Sequence, residues 1–378
     1  MSKPSLLVVG MLDSTHLQKW ISSVAHKSHF KHIWVFPSTS PKKISHAQGS
    51  KLINVIPFSN SRFIRGIFFV LDRFYGNSWR GSLLAVALRI LRPNILHLHE
   101  IQHAGYIFTL SKPERLNKRS KVICSTWGSD LMYYGMLDNH KNRIEKTLSF
   151  VDLLLVERNE EIEIARKFGF SKDILSEKYA TIGTLVKEES LIAPSKRTLI
   201  LIKGYQDNHG RALNALRALE LVQSNLRNYE IVVFSAAESV ANEIELLRLK
   251  YNWKISSLPR VSREEMQAIY QRARICLGIG ISDGLSNSMI ESMEFGAFPI
   301  QSANSCAPHF LVDGVSGFIV DPWDLIDIAM KIDISLKDDA LVDGAKILNR
   351  VALINLFNLE LELNDLINIY EKILESSK

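Results

Sequence analysis

Two carboxylates in the second half of the chain have a spacing suited to neutral hydroxyls beside a charged group, and two basic side chains precede them in the sequence. Lys203 ends an apolar run, and His209 follows six residues later, directly before Gly210. Asp283 stands in the turn "GISDGLSNS" (280–288), and Glu291 lies eight residues further on, inside a stretch of helical periodicity. Backbone N–H groups at such a helix start lack intrahelical partners and sit at the positive end of the helix dipole. The segment Gly284, Leu285, Ser286, Asn287 and Ser288 could therefore ligate a phosphate. Two carboxylates beside a phosphate make sense if they address hydroxyls, Glu291 those of a ribose and Asp283 those of a hexose. The same spacing equally allows a structural use, with Asp283 as helix N-cap and Glu291 closing a capping box with Ser288.

The elements that must position these residues alternate. Apolar strand-like runs at 6–9, 32–36, 95–99, 122–125 and 153–156 are separated by helical periodicity in the first half. The second half repeats the pattern, with runs at 198–202, 230–234, 275–279, 298–301 and 317–320 and helices over 211–223, 263–272 and 287–295. Two rounds of β/α alternation predict an α/β fold of two doubly wound parallel sheets. Domains are expected at 1–186 and 198–355, joined by the polar linker 187–197, "KEESLIAPSKR", with a C-terminal helix over 356–378 that can cross back to the first domain. Ligands of such sheets bind at the carboxyl ends of strands, which is where Lys203 and Asp283 fall.

Composition narrows the class. The chain has 378 residues, 46% hydrophobic and 23% charged, which suits two packed domains rather than disorder. No apolar run is long enough to span a bilayer, and the N-terminus lacks the pattern of a signal peptide, so a cytoplasmic protein is expected. Three cysteines without CxxC spacing predict reduced thiols and no metal site. Charge is uneven: residues 1–186 carry 26 Lys/Arg against 14 Asp/Glu, and residues 187–378 carry 20 against 26. A basic half can face nucleic acid, an anionic lipid surface or a polyanionic acceptor, or simply water. The segment "RFIRGIFFVLDRFYGNSWR" (62–80) mixes arginines with aromatic and aliphatic residues, as a membrane-interface helix does. An amphipathic helix packed on the first sheet has the same pattern. The aromatics sit among apolar residues rather than on a polar strand face, which argues against nucleic acid.

The segment "SDGLSNSMIESMEFGAFPIQSANSCAPHFLVDGVSGFIVDPWD" resembles the C-terminal signature of GT-B retaining glycosyltransferases, the glycosyl transferases group 1 or family 4 type. Asp283 stands where that family usually has Glu; Glu291, Gly296, Pro299, Asp313-Gly314, Gly317 and Asp321-Pro322 match. "VVGMLDSTHLQKWISSVA", "RPNILHLHE" and "STWGSDL" resemble the family's first-half segments, so the likeness runs from residue 1 to about 370. Family members hold the donor diphosphate with Arg and Lys where this chain has Lys203 and His209.

The resemblance implies a metal-independent transferase that moves a sugar from a nucleotide sugar to a glycan or lipid-linked hydroxyl in surface polysaccharide or lipopolysaccharide assembly. No cofactor beyond that donor is expected, and an anionic membrane is a candidate partner of the basic half. Lys203, His209, Asp283 and Asp130 form the implied catalytic set. Backbone near Arg260 and Val261 would meet the base, although Ser262 and Glu265 read equally as a capping box. Asp13, Ser14, His16, His99, Glu100 and Trp127 would lie on the acceptor side or near the reaction centre. His99 also reads as a satisfied strand-end histidine, and Trp127 as either a sugar-stacking ring or a wall. A non-catalytic partner subunit and a nucleotide-sugar epimerase of the same fold are the alternatives.

Overall fold

Strands covered on both faces read as unbroken apolar runs, and the central strands of this chain obey that rule. The computed structural model describes residues 3–27, 29–39, 52–56, 61–115, 120–177, 191–259, 261–356 and 358–376. It divides into two units, Met1–Gly183 with Leu359–Lys378, and Thr184–Asn358.

The first unit is a seven-stranded parallel sheet of β1 (Ser5–Gly10), β2 (His32–Pro37), β3 (Leu52–Asn54), β4 (Ile95–His99), β5 (Lys121–Ser125), β6 (Leu153–Leu155) and β7 (Asp173–Leu175). Strand order is β3-β2-β1-β4-β5-β6-β7, so the direction of winding reverses between β1 and β4. Its helices are α1 (Thr15–His26), α2 (Arg62–Tyr75), α3 (Ser78–Leu91), α4 (Tyr106–Leu110), α5 (Ser129–Met132), α6 (Asp138–Ser149) and α7 (Glu160–Lys167). β1 and β4 pair from Leu6↔Ile95 to Val9↔Leu98, and Gly10 lets the chain leave this seam closely packed. A Cβ at Gly10 would come within 2.5 Å of Leu17 Cδ2 and 3.1 Å of His99 Cβ.

The second unit is a six-stranded parallel sheet of β8 (Leu199–Lys203), β9 (Glu230–Phe234), β10 (Lys254–Leu258), β11 (Ala273–Gly278), β12 (Phe298–Ser302) and β13 (Phe318–Val320). Its order, β10-β9-β8-β11-β12-β13, reverses between β8 and β11. Its helices are α8 (Ala212–Leu221), α9 (Glu238–Tyr251), α10 (Arg263–Arg272), α11 (Asn287–Glu294), α12 (Leu325–Lys337) and α13 (Asp339–Leu356). Ile200, Ile202, Ile231, Val233, Ile275 and Leu277 form its core with α8, α9 and α12.

One departure from the sequence reading has a clear cause. Within the segment expected as a linker, residues 191–197 are packed onto the second unit. The Arg197 guanidinium donates to the carbonyls of Ala273 (3.0 Å), at the end of α10, and Phe295 (2.9 Å), at the end of α11. A polar stretch is thus held by one buried arginine that satisfies exposed helix and strand carbonyls. Residues 184–190 lie outside the described residues. At the C-terminus, α14 (Leu359–Glu375) packs Leu363, Ile369, Tyr370 and Ile373 against β1, α1 and β2 of the first unit. The Tyr370 hydroxyl bonds His97 Nδ1 at 2.7 Å, and His97 Nε2 bonds Ser125 Oγ at 2.8 Å, fixing the helix to the middle of the sheet.

Candidate functional site

In the second unit, Lys203 is the last residue of β8, and the loop after β11 carries Asp283. They therefore sit at the carboxyl ends of the two strands where winding reverses, the usual ligand position in an open α/β sheet. The two loops are stitched together. Ile281 donates its N–H to the His209 carbonyl (2.8 Å), and Arg211 donates to that of Ile279 (2.9 Å). The Asp207 carboxylate accepts the N–H groups of His209 and Gly210, both at 2.8 Å. Gly210 is confined by the tightness of this turn, since a Cβ there would lie 2.2 Å from the Tyr205 carbonyl oxygen.

Across this frame Lys203 Nζ donates to Asp283 Oδ2 at 2.7 Å and lies 3.5 Å from Ser286 Oγ. Burial works to lower the Lys203 pKa, but the charge and hydrogen bond of Asp283 prevail and raise it, so the ammonium is permanently charged at neutral pH. Asp283 also accepts the Gly284 N–H through Oδ1 (3.0 Å). The N-cap of α11 is Ser286, which makes no side-chain capping bond; its hydroxyl instead meets Ser288 Oγ at 2.8 Å. The structural alternative therefore fails on both counts. Asp283 is an ion-pair partner rather than the N-cap, and Glu291 closes no capping box with Ser288, because the N-cap is Ser286 and Ser288 already lies inside the helix. Glu291 instead accepts a hydrogen bond from buried Tyr270, and burial with that neighbouring charge pushes the phenol pKa well up.

His209 is half buried, and burial lowers its pKa despite the opposing charges of Asp207 and Asp283. The imidazole is neutral at pH 7 in the unliganded protein. A diphosphate beside it would raise that pKa. If His209 acts as a cation toward the leaving group, activity falls as pH rises through its pKa. The alkaline limb of kcat should then lie above that of kcat/KM, which reports the free protein. His209→Lys should remove the limb from both profiles; an unchanged limb would dismiss the role. Val261 is half-buried before α10, and the Ser262–Glu265 capping box is formed, at 3.2 and 2.8 Å. Arg260 lies outside the described residues.

In the first unit, Asp13 and Ser14 form the turn after β1, and His16 near the start of α1 approaches Trp127, their ring centroids 6.1 Å apart. Trp127 is half-buried against the core around Leu6 and Trp20. Two expectations need correction. His99 is fully buried, stacked on His97 (4.4 Å) and against Trp20 (4.4 Å), and burial holds its pKa at about 3. It is a neutral ring beneath the β1–β4 seam, and neither ring nitrogen has a hydrogen-bond partner among the described residues, so it is not the satisfied strand-end histidine either. Asp130 is also buried, and its Oδ2 accepts the Ile101 N–H at 2.7 Å. Burial and the nearby Glu100 charge push its pKa well above the usual carboxylate range. It braces the chain after β4 instead of meeting reacting atoms.

Glu100 does stand out. It is a buried non-glycine residue with φ of 76°, and it opens a π-helical turn, Glu100–Gly105. Its carboxylate bonds His103 Nδ1 at 2.8 Å, a pairing that the sequence reading missed. The three-residue offset in "HEIQH" was its only signal.

Two family models match in sequence, Glycosyl transferases group 1 over residues 186–349 and Glycosyl transferase 4-like over residues 5–158. The chain belongs to the group 1 glycosyltransferases. Its fold is GT-B, as in the sucrose-phosphate synthase of Thermosynechococcus elongatus (TM-score 0.75, 15% identity, 99% of this chain and 100% of that one). A glycosyltransferase from Rickettsia africae gives a TM-score of 0.70 at 17% identity, covering 99% of each chain. At these identities the likeness speaks for the fold alone. A curated relative from Campylobacter jejuni is 28% identical over 157 residues, 40% of this chain and 43% of that protein. It is the "GalNAc-alpha-(1->4)-GalNAc-alpha-(1->3)-diNAcBac-PP-undecaprenol alpha-1,4-N-acetyl-D-galactosaminyltransferase". The match spans less than half the length of that relative. This group 1 glycosyltransferase is an enzyme.

Proposed function

We propose that the enzyme transfers a sugar, with retention of configuration, from a nucleotide-sugar donor held by the second unit to a hydroxyl of a lipid-linked glycan. The observation that carries this is the meeting of Lys203, Asp283 and the uncapped start of α11 at the point where the second sheet reverses. There a fixed cation and helix-end N–H groups can take up the charge of a departing nucleoside diphosphate, while Asp283 and Glu291 orient sugar hydroxyls. Acceptor recognition belongs to the first unit. The Campylobacter jejuni relative, whose printed name gives an undecaprenol-diphosphate glycan, supports a lipid-linked acceptor and a role in surface polysaccharide or lipopolysaccharide assembly.

A lipid-linked acceptor calls for approach to a membrane. Among the described residues no helix is long and apolar enough to cross one. The α2 helix buries Phe68 alone and exposes Phe63 (77%), Phe69 (71%) and Phe74 (75%) alongside Arg62 and Arg73. Such a surface suits shallow, peripheral insertion into an anionic interface at the cytoplasmic face. A donor-binding subunit without transfer is the second reading, favoured by the self-neutralised Lys203–Asp283 pair.

The test is transfer from radiolabelled nucleotide sugars to a polyprenyl-diphosphate glycan in anionic vesicles, with the anomeric linkage of the product read by NMR. Product of unchanged anomeric configuration is expected, together with a rate several-fold lower for Phe63→Asp/Phe74→Asp on vesicles but not in detergent. Inverted product would overturn retention. Donor binding without product would favour the subunit reading, and equal vesicle rates would remove the role of α2.

A further inference from the structure

The turn that follows β4 carries more constraint than a loop needs. Glu100 holds a left-handed conformation that costs a non-glycine residue about 1–3 kcal/mol, and such strain persists where the surroundings impose it. The π-helical turn that it opens is itself a form concentrated at functional positions. Gly105 closes the turn directly on α6, where a Cβ would come within 2.6 Å of Thr147 Cγ2. All of this lies at the carboxyl end of β4, beside the reversal of the first sheet, the counterpart of the position that Lys203 occupies in the second.

The product of the constraint is an aimed imidazole. The buried Glu100 carboxylate grips His103 Nδ1, while the His103 side chain keeps 44% of its surface open. The Glu100 hydrogen bond raises the His103 pKa against burial and against the charges of Arg143 and Arg80, so His103 is a cation more readily than an ordinary histidine. Arg80 is neutralised by Asp72 at 2.8 Å. Arg143 is exposed and, among the described residues, pairs with no carboxylate; its guanidinium lies flat on the Tyr106 ring, 3.7 Å from the centroid. The Tyr106 hydroxyl is in turn fixed on His140 Nδ1 at 2.9 Å. Two pre-oriented cations are thus available, one braced through Nδ1 by a buried carboxylate and the other by an aromatic face.

We propose that His103 and Arg143 bind a phosphate or diphosphate group of the acceptor, with Glu100 as the positioning residue. This rests on the reading that the first unit takes the acceptor. Imidazolium and guanidinium are both charge-assisted donors, and the fork of arginine matches two oxygens of one phosphate. Placing the anion here would set the acceptor at a fixed distance from the strand ends of the first sheet.

Inorganic pyrophosphate binding to the full chain, followed by NMR of the His103 ring and by calorimetry, tests the assignment. Pyrophosphate should shift the His103 resonances, and Arg143→Ala and His103→Gln should each weaken binding about tenfold, as loss of one charged hydrogen bond does. In transfer assays the same variants should raise acceptor KM and leave donor KM and kcat unchanged. Competition by polyprenyl diphosphate would assign the group to a lipid carrier, and competition by a hexose 6-phosphate to a soluble sugar phosphate. Either supports the site, whereas competition by neither, or equal pyrophosphate affinity in wild type and Arg143→Ala, overturns it. If pyrophosphate binds as expected while no sugar is ever transferred, the site stands and the transferase reading fails.

Discussion

Replacing Lys203 with glutamine is expected to lower kcat by about a hundredfold to a thousandfold, the effect of deleting one preorganised donor to a developing anion. Lys203 ends a buried strand and is pinned by Asp283 at 2.7 Å, so its charge is in position before any ligand arrives. Breakage of the sugar–phosphate bond puts negative charge on the diphosphate, and a cation already fixed there needs no reorganisation to meet it. Loss of the lysine also leaves Asp283 uncompensated beside a polyanion. The fold should survive, because the Asp283 side chain is 41% exposed and water replaces much of its lost partner. Lys203→Arg should recover most of the rate, since its fork can engage two phosphate oxygens. Steady-state kinetics with the best donor, alongside thermal melts, will decide; a folded glutamine variant with wild-type kcat would exclude Lys203 from the leaving-group site.

How much of this was legible follows from where each signal resides. β1, β4, β8 and β11 are central strands covered on both faces, and their near-continuous Leu, Val and Ile runs mark them in the chain. β3, β7 and β10 were not read, because each is a sheet-edge strand with exposed positions that dilute any apolar run. Asp283 and Glu291 could be picked out by spacing, yet spacing left the helix-cap alternative open. Only the fold removes it, by bringing Lys203 from 80 residues away onto Asp283. His99 and Asp130 show the opposite failure. Their types and strand-end positions suggested chemistry, whereas depth in the sheet, which no local pattern encodes, makes one a stacked core ring and the other a brace for Ile101. Glu100 and His103 were obscured because the π-helical turn that unites them has no distinctive residue pattern.

Asp283→Asn should separate binding from transfer in a way that no other change in the site would. In the unliganded enzyme Asp283 holds Lys203, so a donor diphosphate must draw the ammonium away from a carboxylate 2.7 Å distant. Asparagine keeps the shape and an oxygen for the Gly284 N–H but gives up the charge. Lys203 is then released to the ligand, and affinity for the free nucleoside diphosphate should rise. The same change weakens the acceptor for a sugar hydroxyl by one charged hydrogen bond, so kcat should fall about ten- to a hundredfold. Glu291→Gln makes the contrast: its carboxylate accepts from Tyr270 rather than holding the catalytic ammonium, so donor KM should rise with kcat little changed. Calorimetric titration of nucleoside diphosphate into both variants, with kcat measured in parallel, gives opposite signs if the two acids divide the work in this way. Equal weakening of diphosphate binding by both would mean that Asp283 contacts the nucleotide rather than the sugar, and that its partnership with Lys203 is too weak to compete with ligand.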